Sequence, residues 1–321
     1  MLRDKKTVSK ILVVTPFNSQ WIQELNYSFK EIAEPSFLSL DLPPLTQEIL
    51  REENFVSCAS VAYERLLLEL AKTGAHEIYI SYEFAWPYFE TDFFRDLGKN
   101  IRIVGMLWDD STFHERNYRI ANHIGIETFT TGCPISVLRL REKGCSATFM
   151  QVYGARATYD VTDLSSKHNL AAFFGDIRKA DRQSMLKPFQ KIDGFAIFGG
   201  LSDPMSLQDM IAKIKDTKII VNFSKSFVDE NQRTVYQYKA RILESIFCGS
   251  LPLTEYCPAT EILLDGVVPQ FRESEEGVEK LNFFANNDRE LQKTVEKLLL
   301  IADKYRPDQS LRRVFLTHRD M

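Results

Sequence analysis

The chain has 321 residues, 44% of them hydrophobic and 12% aromatic, which is long for one domain and enough apolar material for two packed cores. A formal net charge of -4 and a pI near 5.9 give no electrostatic reason to expect a nucleic-acid partner. No run reaches membrane-spanning length, and Met1-Leu2-Arg3-Asp4-Lys5-Lys6 does not open a signal peptide. The five cysteines (Cys58, Cys133, Cys145, Cys248, Cys257) show neither a CxxC pair nor zinc spacing, so reduced thiols in a cytoplasmic protein are the expectation.

Short apolar runs alternate with helical patterns, as in parallel sheets with crossover helices. In the first half, strands are expected at 10–15, 77–81, 101–107, 128–130 and 147–151, and helices at 21–32, 57–72, 89–97, 118–123 and 134–143. After the polar, aperiodic stretch 160–168, read as a linker, the pattern starts afresh. Strands then fit 170–174, 194–198, 218–222, 251–254 and 267–271, and helices fit 182–190, 206–215, 235–247, 275–286 and 288–305. The expectation is an α/β protein of two Rossmann-like, doubly wound domains, residues 1–160 and 161–321, whose sheets face a cleft with their carboxyl ends.

Ligands of such sheets bind just beyond the strands, so polar residues there matter most. Three places stand out in the second half. In Phe174-Gly175-Asp176-Ile177-Arg178, with Arg182 a turn later, Gly175 would let the backbone approach an anion, and Arg178 or Arg182 could pair with phosphate oxygens. A tight turn with solvated arginines fits the same residues. In Asn222-Phe223-Ser224-Lys225, Lys225 could reach a diphosphate, although a lysine after a strand is more often simply exposed. The third place is the helix at 235–247. Ile242, Leu243, Ile246 and Phe247 recur at helical spacing, Gly249 sits where a left-handed cap belongs, and Tyr238, Arg241 and Glu244 are each three residues from the next. A carboxylate among those apolar residues needs hydrogen-bond donors. Sugar hydroxyls would supply them, and so would Arg241 or a backbone amide with no ligand present.

Across 218–265 the order is a strand with Asn-Phe-Ser, then Arg-Ile-Leu-Glu-Ser-Ile-Phe-Cys-Gly, then Leu-Pro-Leu-Thr-Glu and a later Glu261-Ile262-Leu263-Leu264-Asp265. This order resembles the donor-binding half of GT-B glycosyltransferases, and most closely the CgeB-like (spore-coat protein) group, in which an Arg-x-x-Glu helix ends in Cys-Gly. The resemblance extends more weakly over 171–315. It implies a metal-independent hexosyl- or pentosyltransferase that moves a sugar from a nucleotide-sugar, a UDP-sugar first of all, to an acceptor hydroxyl, with retention by analogy and no other cofactor. By position, Glu244 matches the glutamate that holds the ribose hydroxyls, and Gly175 matches the glycine near the diphosphate. Arg178, Arg182 and Lys225 become candidate diphosphate ligands, and Tyr238 and Arg241 join Glu244 on the donor side. The chain departs from the common pair of glutamates eight positions apart: Tyr236 stands where the first would be, which leaves the sugar and the stereochemical outcome open.

The first half is then expected to bind the acceptor, which could be a glycan, a protein, a small molecule or a nucleic-acid base. Its most chemical string, Trp108-Asp109-Asp110-Ser111-Thr112-Phe113-His114, directly follows an apolar strand. Asp109, Asp110 and His114 are the candidate catalytic residues, which could supply a general base to the acceptor hydroxyl or fix its orientation. Adjacent aspartates on an extended segment point oppositely, so one of them would face the cleft, and a helix cap at Asp110 or Ser111 explains the string equally well. CgeB-like proteins are similar here too, with an acidic pair after a strand, and the pair is not read as a metal-binding motif. Two other readings remain: a nucleotide-sugar-binding coat or assembly protein without turnover, and a phage-type transferase acting on DNA bases, against which the charge counts. The loop 16–21, the aromatic run 82–88, His76, His123, His168 and His318, and the basic Arg312, Arg313 and Arg319 are read as structural or exposed groups.

Overall fold

Parallel strands covered on both faces must be apolar along their whole length, and Ile11-Leu12-Val13-Val14, Ile78-Tyr79-Ile80 and Ile219-Ile220-Val221 are all buried in that way. The computed structural model describes residues 10–15, 20–30, 32–40, 52–81, 89, 91–107, 110–151, 154, 156, 158–177, 181–199, 205–228 and 234–317. The chain divides into two units, Met1–Val152 with Ser310–Met321, and Tyr153–Gln309. This division is earlier than the expected one at 160 and is discontinuous, because the end of the last helix belongs to the first unit.

The first unit runs β1 (Lys10–Thr15), α1 (Gln20–Lys30), β2 (Glu34–Ser39), α2 (Glu52–Thr73), β3 (Glu77–Ile80), α3 (Phe93–Leu97), β4 (Arg102–Leu107), α4 (Asp110–Ile124), β5 (Thr128–Thr131), α5 (Pro134–Glu142) and β6 (Ser146–Phe149). Its sheet has the order β2-β1-β3-β4-β5-β6 with every pairing parallel. The helix expected at 118–123 is the long α4, which begins at Asp110.

The second unit runs β7 (Asn169–Phe174), α6 (Arg182–Leu186), β8 (Phe195–Phe198), α7 (Leu207–Lys215), β9 (Thr217–Asn222), β10 (Lys225–Val228), β11 (Thr234–Tyr236), α8 (Arg241–Phe247), β12 (Leu251–Glu255), α9 (Pro258–Leu263), β13 (Gln270–Phe271), α10 (Ser274–Ala285) and α11 (Asp288–Ala302). Its parallel sheet has the order β13-β12-β9-β7-β8, with β10 and β11 as a separate antiparallel hairpin. The final helix α12 (Pro307–Thr317) starts in this unit and ends in the first, where Ser310 Oγ donates to Gln151 O (3.1 Å) and Arg102 Nη2 to Val314 O (3.3 Å). No described helix is long and apolar enough to cross a membrane.

The helix expected at 235–247 is two elements. Residues 234–236 pair with Lys225–Val228 as a strand, and α8 starts only at Arg241, so Tyr238 precedes the helix. Its end follows expectation. Gly249 has φ +71, its N–H donates to Ile246 O (2.9 Å), and Ser250 N–H donates to Ser245 O (2.9 Å), a Schellman closure.

The stretch 160–168 is fastened to the second unit. Thr162 N–H donates to Cys248 O (3.2 Å), and Asp160 is paired with Lys215. Lys167, buried at 4% exposure, donates to Lys215 O (2.7 Å), Cys248 O (3.0 Å) and Ser250 Oγ (3.1 Å). It thereby closes the carboxyl ends of α7 and α8 together. Burial pulls this ammonium down to about 8.

Two predictions follow from this clamp. Gly249→Ala adds a Cβ that would lie 2.6 Å from the Thr162 carbonyl oxygen, at a backbone angle that disfavours L side chains. A loss of at least about 2 kcal/mol in denaturant unfolding is expected; an unchanged midpoint would show that 160–168 is not seated on α8. For Lys167, the folded chain releases its proton near pH 8, below the unfolded value of 10.5. In that window the unfolded state binds more protons, so stability from this position rises with pH. The stability of wild type relative to Lys167→Met should therefore increase between about pH 7.5 and about pH 9.5, and a difference flat in pH would contradict the lowered value.

Candidate functional site

In the second unit the chain leaves β7 towards β8 on one side and β9 towards β12 on the other, so the strand order reverses between β7 and β9. Ligands of open parallel sheets bind in the crevice outside the carboxyl ends at such a point. Three strand ends converge here: Phe174-Gly175-Asp176 after β7, Asn222-Phe223-Ser224 after β9, and Glu255 at the end of β12.

Gly175 has φ +148, and its N–H is used within the fold, donating to Phe198 O (3.0 Å). It is therefore a close-packed turn and not a free anion-binding amide. A Cβ there would lie 3.3 Å from the Phe173 ring and 3.8 Å from Arg182 Nη1, so Gly175 and Arg182 are neighbours. Arg182 is half-buried beside the Phe173 ring, donates from Nη1 to Asp176 O (3.2 Å), and has a buried Nε with no partner. Burial lowers its pKa.

Lys225 is committed twice. Its Nζ lies 2.5 Å from Asp181 Oδ2, a bond that raises its pKa, and its N–H donates to Glu255 Oε2 (2.7 Å). Reaching a diphosphate would require release from Asp181. Glu255 stands just beyond the strand expected at 251–254, where the sequence pattern gives it no distinct role; the structure extends that strand to include it. It is 4% exposed, and burial pushes its pKa up against the opposing effects of the Lys225 and Ser224 main chain, the Lys225 ammonium and Arg182.

The second cluster surrounds α8, which packs on β9, β12 and α11. Glu244, 3% exposed in its first turn, is held by Arg241 and by the hydroxyl of Tyr159. Burial nonetheless raises its pKa. Arg241 Nη1 sits 2.6 Å from Glu244 Oε2, at an angle that makes no hydrogen bond to that oxygen, while contacting Met210 Sδ (2.7 Å) and lying by the Phe174 ring. Tyr238, 6% exposed, faces the Leu243 N–H of the same turn without a hydrogen bond of normal geometry. Its pKa is raised well above the usual tyrosine range, by burial first and by Glu244 next. Tyr238 Oη, Arg241 Nε and Glu244 Oε2 are thus buried polar atoms without a hydrogen bond, the last of them held by its ion pair with Arg241 alone. Native interiors rarely leave such groups unpaired, and several in one place mark a position for a ligand or ordered water. Behind them Arg306, lying over Phe247, donates to Gly154 O (2.9 Å) and Tyr159 O (3.0 Å), which sets the loop that carries Tyr159. Tyr159 and Arg306 had no sequence signal, since both lie in aperiodic segments.

Other expected residues fall elsewhere or outside the described set. Arg178, Asp109 and the loops 16–19 and 82–88 lie outside the described residues, as do Arg319 and His318. Asp110 is the first residue of α4, so Asp110 and Ser111 lie inside its first turn and do not precede it, while His114 is buried one turn on. Tyr236 is exposed on the β10–β11 hairpin. His76, His123 and His168 are exposed, as are Arg312 and Arg313. Among the described residues no cluster of three His, Cys, Asp or Glu is grouped to hold a metal, and Cys133, Cys145, Cys248 and Cys257 form no disulfide.

No protein-family model and no curated protein matches the sequence. Among solved structures, the chain is similar to a sucrose-phosphate synthase from Thermosynechococcus elongatus, with a TM-score of 0.59 at 9% identity over 97% of this chain and 98% of that one. A Glycosylation Associate Protein complex from Streptococcus agalactiae matches with a TM-score of 0.52 at 10% identity, over 81% of this chain and 58% of that one. These likenesses show the fold, two Rossmann-like parallel-sheet units of the GT-B kind.

The unpaired hydroxyl makes a prediction for the ligand-free protein. Tyr238→Phe removes a buried polar atom without a partner, so stability should stay level or rise by up to about 1–2 kcal/mol. A clear drop in the unfolding midpoint would show that the hydroxyl is paired in the fold.

Proposed function

We propose that this chain is a glycosyltransferase of the CgeB-like kind, acting in the cytoplasm, that moves a sugar from a nucleotide-sugar to an acceptor hydroxyl without a metal. The observation that carries the reading is the trio of buried, unsatisfied polar atoms on Tyr238, Arg241 and Glu244 at the base of α8. A vicinal diol complements it: its hydroxyls donate to the Glu244 carboxylate and accept from Arg241 and Tyr238, removing the desolvation penalty of each. The ribose of a nucleotide, UDP first of all, has that diol. The Rossmann-like sheet beside it supports the reading, because the crevice between β7 and β9 is where such sheets take nucleotides.

In this reading Arg182 and Lys225, on opposite sides of the switch point, face the diphosphate and stabilise the charge that develops as the sugar leaves. Gly175 acts by close packing against the ligand, since its own N–H is taken. Arg178 is retained as a further diphosphate ligand. In the first unit Asp109, Asp110 and His114 serve the acceptor, one carboxylate orienting its hydroxyl while the departing diphosphate, on the same face, takes the hydroxyl proton. Retention of configuration is proposed by analogy.

A panel of nucleotide-sugars, scored by mass detection of free nucleotide, tests the activity. Binding of one donor with no turnover against any acceptor would leave a nucleotide-sugar-binding protein in its place. Glu244→Ala should lower donor affinity about ten- to a hundredfold with the fold intact, and unchanged affinity would remove the ribose role. Asp109→Asn or Asp110→Asn should slow transfer at unchanged donor affinity; full rate in both would leave the pair without a chemical role. Strong, salt-dependent retention on DNA would instead favour a base-modifying transferase.

A further inference from the structure

A second buried carboxyl lies on the same sheet edge and has no task in the reading above. Glu255 ends β12, and its backbone carbonyl is held by two hydroxyls, one of which is itself fixed by a neighbouring amide. Ser224 Oγ donates to Glu255 O (2.9 Å), Thr254 Oγ1 donates to it as well (3.1 Å), and Asn222 Nδ2 donates to Thr254 Oγ1 (2.9 Å). All four residues are buried, so the network fixes a strand end rather than a surface loop. The side chain is fixed too, with one carboxyl oxygen accepting the Lys225 N–H at 2.7 Å. Such a carboxyl, oriented by main chain on a rigid element, is built to contact something specific.

We infer that Glu255 is a specificity residue that hydrogen-bonds hydroxyl groups of the sugar carried by the nucleotide donor. The inference rests on the proposed donor reading and identifies which residue meets the transferred group. Its neighbours are Arg182 and Lys225, the groups placed to meet the diphosphate, with Asp181 bonded to Lys225 and Asp176 beside Arg182. Phosphate oxygens have no proton to give a carboxylate, and their charge repels it. Hydroxyls next to the diphosphate do have protons to give, and in a nucleotide-sugar these belong to the ribose and the sugar. The ribose is assigned to Glu244, on a different element. Tyr236 cannot supply an acid, and it is exposed on the hairpin rather than on α8. Glu255 is the remaining buried carboxyl among the described residues at these strand ends. Its raised pKa adds versatility, because a carboxyl that holds its proton more readily can give as well as take a hydrogen bond.

Titration calorimetry with UDP, GDP and TDP, each against its glucose and N-acetylglucosamine esters, separates the outcomes. In Glu255→Gln, which keeps an oxygen for the Lys225 N–H, the nucleotide-sugar should bind about tenfold more weakly while the bare nucleoside diphosphate stays within about twofold. Equal weakening of both ligands, or no weakening of either, would overturn the inference and leave the donor reading intact. If wild type binds none of the nine ligands, the donor reading falls and takes this inference with it. If Glu255→Gln does not fold, Glu255→Asp, which retracts the carboxylate by one methylene, is read by the same ratio.

Discussion

The second unit is organised around one buried ammonium. Lys167 Nζ reaches the last carbonyls of two helices and the serine that opens β12. A cation at two helix carboxyl ends is favourable with both macrodipoles, and its three hydrogen bonds offset part of the cost of desolvating the charge, the remainder showing as its lowered pKa. Ser250 completes the joint by donating to Ile214 O and Thr217 O. Because α8 is held at this end, next to the Gly249 closure, its first turn is placed at the opposite edge of the sheet. The lysine fixes where Glu244 sits without touching it.

What the clamp holds in place is a locally unfavourable arrangement. Glu244 is almost wholly buried, and its partners satisfy it only in part, while the Tyr238 hydroxyl lacks an acceptor. A fold selected for stability alone would place apolar side chains there. Buried polar groups kept short of hydrogen bonds persist where the surrounding structure overdetermines them, and such places concentrate at functional sites. Arg306 belongs to that surrounding structure: stacked on Phe247 and bonded to Gly154 O and Tyr159 O, it holds the Tyr159 segment against the base of α8. Gly154 is required by the same packing, since a Cβ there would come within 2.2 Å of the Phe247 ring.

How far the sequence discloses this depends on burial. Strands such as Lys10–Thr15 and Leu251–Glu255 carry apolar runs, Ile11–Val14 and Leu251–Leu253, because both faces are covered there, and they are legible as runs. The edge strand Glu34–Ser39 is half-buried and carries Glu, Pro and two Ser, so it has neither a run nor an alternation to read. The hairpin of Lys225–Val228 and Thr234–Tyr236 forms from a polar segment whose register comes from tertiary context, and this is why the helix expected from 235 begins instead at Arg241. Arg241 and Glu244 were readable as an i, i+3 pair because they do share a helix. Tyr238 reaches the same cluster from a non-helical turn, so helical spacing is not what brings it there. Lys167 and Arg306 are invisible to pattern reading, since a cation buried by distant carbonyls has no local signature.

The charge balance at the switch point narrows the kind of molecule that fits. Lys225 is neutralised by Asp181, and Arg182 faces the Asp176 carbonyl with its Nε unpaired, next to the buried Glu255. A polyanion such as a nucleic-acid backbone would find one incompletely engaged cation among carboxylates, which is poor recompense for losing its counterions. In the proposed reading, the ligand that suits this balance has a short anionic centre flanked on both sides by hydroxyls. Its charge meets Arg182, and it competes with Asp181 for Lys225, while the carboxylates on either side accept from hydroxyls. The two carboxylates sit on different elements, Glu244 on a helix and Glu255 on a strand end, so each can be tuned separately. If the proposed reading holds, recognition of the nucleotide and of what it carries are physically separable, since they rest on different elements.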